Sequence, residues 1–428
     1  MSFEQGLSGL EASTQNLSVI GNNVANASTV GFKSSETLFA DVYANSLTGA
    51  GASQVGIGVQ VNSVEQQFTQ GNITSSSNPL DIAINGGGFY EMSNHGTISY
   101  TRNGQFQLDK NGFIVNSTGD RLQGYAVNAA GVLQTGSTTD LQINTASQPP
   151  SATSKITAVL NLNSQDTIPK TTPFSTTDPT TYNYSSSVTI YDSLGDAHTL
   201  QTYYVKTGPT TGAPAGTEAT WNVYASLDSK EVSGTTPPTA IGTLTFNTSG
   251  AIDTTATTLP FVLNNLAVTS GAISPLGSNL PAGGVSLDFT GTTQYGALDA
   301  TSTLKQDGYT SGQLSSFSAS ANGTIVGSYT NGQSATLGQI SLASFTDPNG
   351  LQNLGNNEWA ATATSGAALV GTPGSGSLGV LQSSATEDSN VDLTAQLVNM
   401  ITAQEDYQAN AQTIKTENEL LQTLVTLR

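Results

Sequence analysis

Two stretches, SFEQGLSGLEASTQNLSVIGNNVA at residues 2–25 and SNVDLTAQLVNMITAQEDYQANAQTIKTENELLQTLVTLR at residues 389–428, decide how this chain is read. In the first, Phe3, Leu7, Leu10, Leu17 and Val24 fall on steps of four and three, with Thr14 and Gly21 filling the same register. In the second, Leu393, Leu397, Met400, Tyr407, Ala411, Ile414, Leu421 and Val425 follow the same alternation, with Gln404 and Asn418 in the polar slots. This repeat lays one apolar stripe along an α-helix. It predicts a helix at each end of the chain, the second capped by Ser389 or Asn390.

Neither helix is expected to stand alone. The first contains Gly6, Gly9 and Gly21, each costing about 1 kcal/mol relative to alanine in a helix interior. Pairing the two stripes still leaves much of each helix wet. Such stripes become stable when many copies surround one another, so both ends are expected to be largely disordered in the free monomer and to fold on assembly.

The region between reads as strand and turn. Leu80, Ile82 and Ile84 alternate with Asp81, Ala83 and Asn85, and Phe106 and Leu108 alternate with Gln105, Gln107 and Asp109, as in half-buried antiparallel strands. Asn-Gly pairs at Asn85, Asn103, Asn111, Asn322, Asn331 and Asn349 suit tight hairpin turns. Gly86-Gly87-Gly88 reads as one such turn between Ile84 and Phe89 rather than a phosphate loop, because no Gly-Lys-Ser/Thr follows. Gln148-Pro149-Pro150 and the Gly291–Gly296 stretch punctuate the chain, and 151–291 looks inserted, with surface loops such as Gly208–Gly216.

The fold class is therefore mainly β with terminal α-helices. It is a nested multi-domain architecture of two β-rich domains plus a helical, coiled-coil-like domain formed by the N- and C-terminal segments. The expected boundaries are 1–32 and 386–428 for the terminal helices, 33–70 and 366–385 for connecting segments, 71–150 and 292–365 for a split β domain, and 151–291 for the insert. The 33–70 connector mixes Gly, Ser and Asn with Leu38, Phe39 and Val42 and is expected to order only against neighbours.

Composition removes most functions. Among 428 residues, 11 Lys and Arg oppose 30 Asp and Glu, a net charge of −19 without a basic cluster, so nucleic-acid binding is excluded. Charged residues are only 10% of the chain, leaving Ser, Thr, Asn, Gln and Gly to build the surface, as in many secreted bacterial β-proteins. The absence of Cys removes disulfides, thiol nucleophiles and Cys-ligated metals. No run of about 18 apolar residues appears, so no membrane insertion is expected. The start has no apolar leader, which implies export without a cleaved signal peptide.

No catalytic, cofactor-binding or metal site stands out. His95 and His198 have no Cys companions. The Asp192-Ser193-Leu194-Gly195-Asp196 turn lacks the terminal Glu of a calcium loop and reads as a hairpin cap.

The residues do match a family. GNNVANASTVGFKSS, Gly21 to Ser35, resembles the N-terminal signature of the bacterial flagellar axial proteins, the rod and hook subunits. Its motif positions here are Asn22, Asn23, Asn26, Gly31, Phe32 and Lys33. The 55–89 stretch, Tyr100 to Tyr125 and Ser389 to Arg428 resemble further blocks of the same family. Leu160 to Ser175, Val188 to Thr207 and Ala335 to Phe345 resemble its hook branch. Two departures stand out: Thr386 precedes Glu387 where the family shows a leucine, and Gln404-Glu405-Asp406 stands where a basic residue commonly precedes the Tyr407 block.

The resemblance implies a structural protein, not an enzyme and without cofactors, that self-assembles into a curved, flexible helical tube and passes motor torque to the filament as a universal joint. It implies terminal helices as an inner tube, the split β domain as a middle layer and the insert as an outer one. Implied partners are further copies of the chain, the rod, the hook cap, the hook-filament junction proteins and the type III flagellar export apparatus, at the flagellum outside the cell. Polar low-charge outer faces can exchange water-mediated bonds as subunits shift. The competing readings are a distal rod subunit and a secreted β-rich adhesin. The adhesin would need exposed aromatic clusters among Tyr182, Tyr184, Tyr203, Tyr204 and Trp221, for which strand core is the alternative role.

Overall fold

In the computed structural model, which describes residues 2–42, 56–128, 131–208, 217–233, 235–263 and 284–426, the 3–4 repeats form α1 (Ser2–Ala25) and α2 (Leu393–Thr426). The cap of α2 differs from expectation. Asp392 Oδ1 accepts from the N–H groups of Thr394 (2.8 Å) and Ala395 (3.2 Å), so Asp392 is the N-cap. Asn390 is drawn elsewhere, accepting from Ser34 N and donating to Gln67 O.

After α1, β1 (Ser35–Val42) and β2 (Gly58–Gln66) pair antiparallel from Ser35↔Gln66 to Val42↔Gly58, with a bulge between Leu38 and Phe39. The 43–55 part of the expected connector lies outside the described residues. Two short ladders then join the chain's early and late halves. Ile73–Ser75 pairs with Ala385–Glu387, and Ile82–Asn85 pairs with Val380–Ser383. This second ladder corrects two expectations. Ile82, Ala83 and Ile84 are all buried, so the strand is covered on both faces. Gly86–Gly88 is no hairpin turn, because Phe89–Asn94 joins a different sheet, pairing with Thr97–Thr101, Leu342–Ser344 and Arg121–Ala126.

The Asn-Gly reading holds at three positions, Gly112, Gly323 and Gly332, with φ between 77° and 83°, whereas Gly86 has φ +116° but joins strands of different sheets. Gly104 and Gly350 are absent from the positive-φ glycines, and Gly350 ends a 3-10 turn, Pro348–Gly350.

Two compact units result. One comprises residues 1–145, 315–328 and 334–428, the other 146–314 and 329–333. The first contains the helices, the hairpin and a large sheet whose central strands run Ser334–Ile340, Arg121–Ala126, Phe89–Asn94, Thr97–Thr101 and Glu358–Ala360. Its aromatic core packs Phe68, Phe89 and Trp359 edge to face, with centroids 5.4–5.7 Å apart, and Tyr100 against Phe345 at 4.7 Å.

The second unit has two sheets sharing one core. One is ordered Phe261–Leu263, Val285–Asp288, Lys155–Asn161, Ala300–Gln306. The other is ordered Tyr184–Tyr191, Ala197–Lys206, Thr217–Leu227, Lys230–Glu231, with Gly242–Asn247 paired to Thr217–Leu227. Leu160, Tyr204, Trp221, Phe246 and Phe289 fill the space between. The unit runs past the expected end at 291, because Ala300–Gln306 pairs antiparallel with Lys155–Asn161. The Gly208–Gly216 loop lies almost wholly outside the described residues.

Candidate assembly site

The helices α1 and α2 pack antiparallel. Gly6 faces Ile414, Gly9 faces Asn410, and Asn23 Nδ2 approaches Gln396 Oε1 at 3.5 Å. On α1 the covered positions include Gly6, Gly9, Ala12, Ser13, Asn16, Ile20 and Asn23, and on α2 they include Gln396, Met400, Ala403, Asn410 and Ile414. Both sets step by threes and fours. The α1 set lies one residue away from the apolar stripe, a rotation of about 100°. The seam within the chain therefore mixes small and polar residues with a few apolar ones, Ile20, Met400 and Ile414.

The stripe is left outward. Phe3 and Leu7 are exposed, with Leu10, Leu17 and Val24 half-buried at the edge. On α2, Met400, Ala411 and Ile414 are half-buried, whereas Leu393, Leu397, Tyr407 and Leu421 are exposed. Val398 and Ile401, unnoticed in the periodicity, are 57% and 58% exposed beside Leu397. The side chain of Val425 lies outside the described residues.

The motif following α1 builds its turn and anchor. Asn22 O accepts from Asn26 N at 3.1 Å, and Asn22 Oδ1 accepts from Asn26 Nδ2 at 2.7 Å, closing the helix end. Asn23 clasps Ser35 through both backbone groups: its Nδ2 donates to Ser35 O (2.8 Å) and its Oδ1 accepts from Ser35 N (2.9 Å). Gly31 has φ +72°, and a Cβ there would lie 2.8 Å from Asn103 N, so no side chain fits. Phe32 is half-buried and its N–H donates to Thr29 O at 3.2 Å.

Lys33 enters a buried charge cluster. Its Nζ donates to Glu387 Oε1 and to Thr69 O, both at 2.7 Å. Arg102 Nε pairs with Glu387 Oε2 at 3.3 Å, and its Nη1 donates to Gly86 O and Gly88 O. Gly71 N also donates to Glu387 Oε1, and Gly31 N donates to Glu387 O. The three ionic side chains are 4% exposed or less. Burial, then the neighbouring Arg102 charge, hold the Lys33 ammonium below its usual pKa, against the opposing pull of Glu387. Burial pushes the Tyr90 phenol, which donates to Ile82 O, well above its usual range.

Lys33 belongs to the recognised motif, but Arg102 and Glu387 were missed as partners. The signal available was scarcity: in a chain with 11 cations, one inside the block Thr101-Arg102-Asn103-Gly104 stands out.

Elsewhere the aromatic candidates of the second unit are core or its edge. Tyr203, Tyr204 and Trp221 are buried, and Tyr182 and Tyr184 half-buried. Asp192 caps its hairpin through Leu194 N and Asp196 N. Among the described residues, no group of three or more His, Asp or Glu is placed to hold a metal ion. No helix among them is long and apolar enough to cross a membrane.

Four segments match family descriptions: residues 3–33 the flagella basal body rod protein, 83–157 the flagellar hook protein FlgE/F/G D1 domain, 161–309 the flagellar basal body protein FlaE D2 domain, and 382–427 the flagellar basal body rod FlgEFG protein C-terminal region. The chain is 42% identical over 433 residues to the flagellar hook protein FlgE of Salmonella typhimurium and 41% identical over 435 residues to that of Escherichia coli, covering all of both chains in each case. It is 30% identical to the FlgE of Borreliella burgdorferi, over 100% of this chain and 99% of the relative. The fold is similar to the crystal structure of the Helicobacter pylori flagellar hook protein FlgE2, with a TM-score of 0.50, 14% identity, and coverage of 74% of this chain and 99% of that one. Full-length similarity of this order shows that the chain belongs to the flagellar hook protein family, FlgE, whose members are structural, polymeric parts of the bacterial flagellum rather than enzymes.

Proposed function

We propose that this chain polymerises into a curved, flexible tube that passes motor torque to the filament as a universal joint. The terminal helices form the inner wall and the β-rich units the layers around it. The observation that carries this reading is the outward apolar stripe. The helix pair spends mostly small and polar residues on its own seam and leaves Phe3, Leu7, Leu397, Val398, Ile401 and Leu421 in water. A chain that functioned as a monomer would gain nothing from that arrangement, whereas packed copies would bury the stripe. The helices fold fully only in that company. The rod, the hook cap and the hook-filament junction proteins are the neighbouring partners. The chain leaves the cell through the type III flagellar apparatus.

Electron micrographs of the purified protein at high concentration test the proposal. Curved tubes are expected. Straight, stiff tubes would instead indicate a rod-like subunit, and no polymer at any concentration would remove the proposal altogether.

A further inference from the structure

The chain passes between the helix–hairpin region and the β body of the first unit twice, at 67–72 and at 387–390, and the turn that joins α1 to the hairpin dips against the body between them at 31–34. All three segments are tied to one residue. Glu387 O accepts from Gly31 N at 2.8 Å, and Glu387 Oε1 accepts from Lys33 Nζ at 2.7 Å and Gly71 N at 2.9 Å. Lys33 extends the tie to Thr69 O, and Arg102 extends it into the body at Gly86 O and Gly88 O. Around it, Asn390 binds Ser34 and Gln67, and Asp388 N donates to Asn72 O.

We propose that Glu387, with Lys33 and Arg102, is a clamp through which load passes between the terminal helices and the β body, so that bending of the polymer does not occur at these crossings. The proposal rests on the torque-transmitting reading above. Its physical basis is the contrast between two kinds of contact. Wet polar surfaces shift with little loss, because water-mediated bonds exchange at small cost. Buried charged hydrogen bonds have fixed donors and acceptors, and separating them leaves an uncompensated charge in the interior. Two cations share one carboxylate, so displacing Glu387 strands both. The backbone gives no slack, since Gly31 is packed against Asn103 N and a Cβ at Gly71 would meet Asp388 O.

Glu387 is a positioning residue, and its test separates holding the crossings from general stability. In full-length Lys33→Met the Arg102–Glu387 pair remains balanced and the body folds. Glu387→Gln removes the shared acceptor charge. Amide exchange at Gly71, whose N–H donates to the carboxylate, is expected to rise by about ten-fold or more in Glu387→Gln, the order set by losing a hydrogen bond to a charged group, while Met92 and Leu122 keep their protection. Lys33→Met is expected to polymerise at the wild-type critical concentration into tubes of lower bending rigidity, read from shape fluctuations in micrographs. Unchanged exchange at Gly71 in Glu387→Gln overturns the clamp. So does faster exchange in tubes of wild-type rigidity. A wild-type chain that forms no tube overturns instead the reading on which the clamp rests, whatever the exchange data show.

Discussion

Glu91 is an acid placed among rings. It lies on Phe89–Asn94 opposite Tyr100, is 7% exposed, and its Oε2 has no hydrogen-bond partner. Burial pushes its carboxyl above the ordinary 4.5, and burial followed by the Glu91 charge pushes the Tyr100 phenol up. The folded chain therefore holds this proton at a pH where the unfolded chain has released it. Stability falls as pH rises from about 4.5 through the folded-state value, because over that window the native state binds more protons. Glu91→Gln copies the neutral acid without the charge. It is expected to raise the unfolding temperature at pH 7, with the gain shrinking to nothing near pH 4; thermal unfolding at the two pH values decides, and an equal gain at both would assign the effect to packing.

At the scale of elements, both helices are legible in the sequence because a 3–4 repeat has few other meanings, and their seam is not. Apart from Met400 and Ile414, which the stripe contains, the contact face uses residues such as Gly6, Gly9, Asn16, Asn23, Gln396 and Asn410, types that a hydrophobic reading passes over. The Ser389 or Asn390 cap failed for a related reason: Asn390 is taken by Ser34 and Gln67, more than 300 residues away in the chain. Gly86–Gly88 looked like a hairpin because the true partner of the strand before it, Ile82–Asn85, is the equally remote Val380–Ser383. Two predictions belong here. Asp392→Ala removes the acceptor for Thr394 N and Ala395 N and is expected to cost α2 about 1 kcal/mol, seen as faster amide exchange in its first turn with the β sheets unchanged. The pair Leu397→Ser and Ile401→Ser removes outward apolar surface worth about 1.5–3 kcal/mol per side chain when buried. Since about 1.4 kcal/mol is ten-fold, each change is expected to raise the critical concentration for polymerisation by about ten-fold or more, with monomer unfolding unaltered. Sedimentation across a dilution series measures this, and an unchanged critical concentration would mean that the stripe is not the polymer contact.

For the whole molecule, the nesting was readable from Pro149-Pro150, but the far edge of the insert was set by a strand pairing, Ala300–Gln306 on Lys155–Asn161, that local punctuation does not encode. Charge is a property of the whole chain in the same sense. The net −19 is spread over a surface with few cations, and two of those, Lys33 and Arg102, are buried with Glu387 rather than available to neighbours. The helices share the imbalance: α1 carries Glu4 and Glu11 with no base, and α2 carries Glu405, Asp406, Glu417 and Glu419 against Lys415. Copies brought together along these helices repel, while the apolar stripe attracts regardless of salt. The Debye length falls from about 30 Å at 0.01 M to about 10 Å at 0.1 M ionic strength, so added salt screens the repulsion and leaves the attraction in place. Polymerisation is expected to be weak in dilute buffer and to strengthen steadily between 0.01 and about 0.5 M sodium chloride, measured as a falling critical concentration by light scattering. A critical concentration that rises with salt would show that opposite charges between copies, rather than the buried stripe, hold the polymer together.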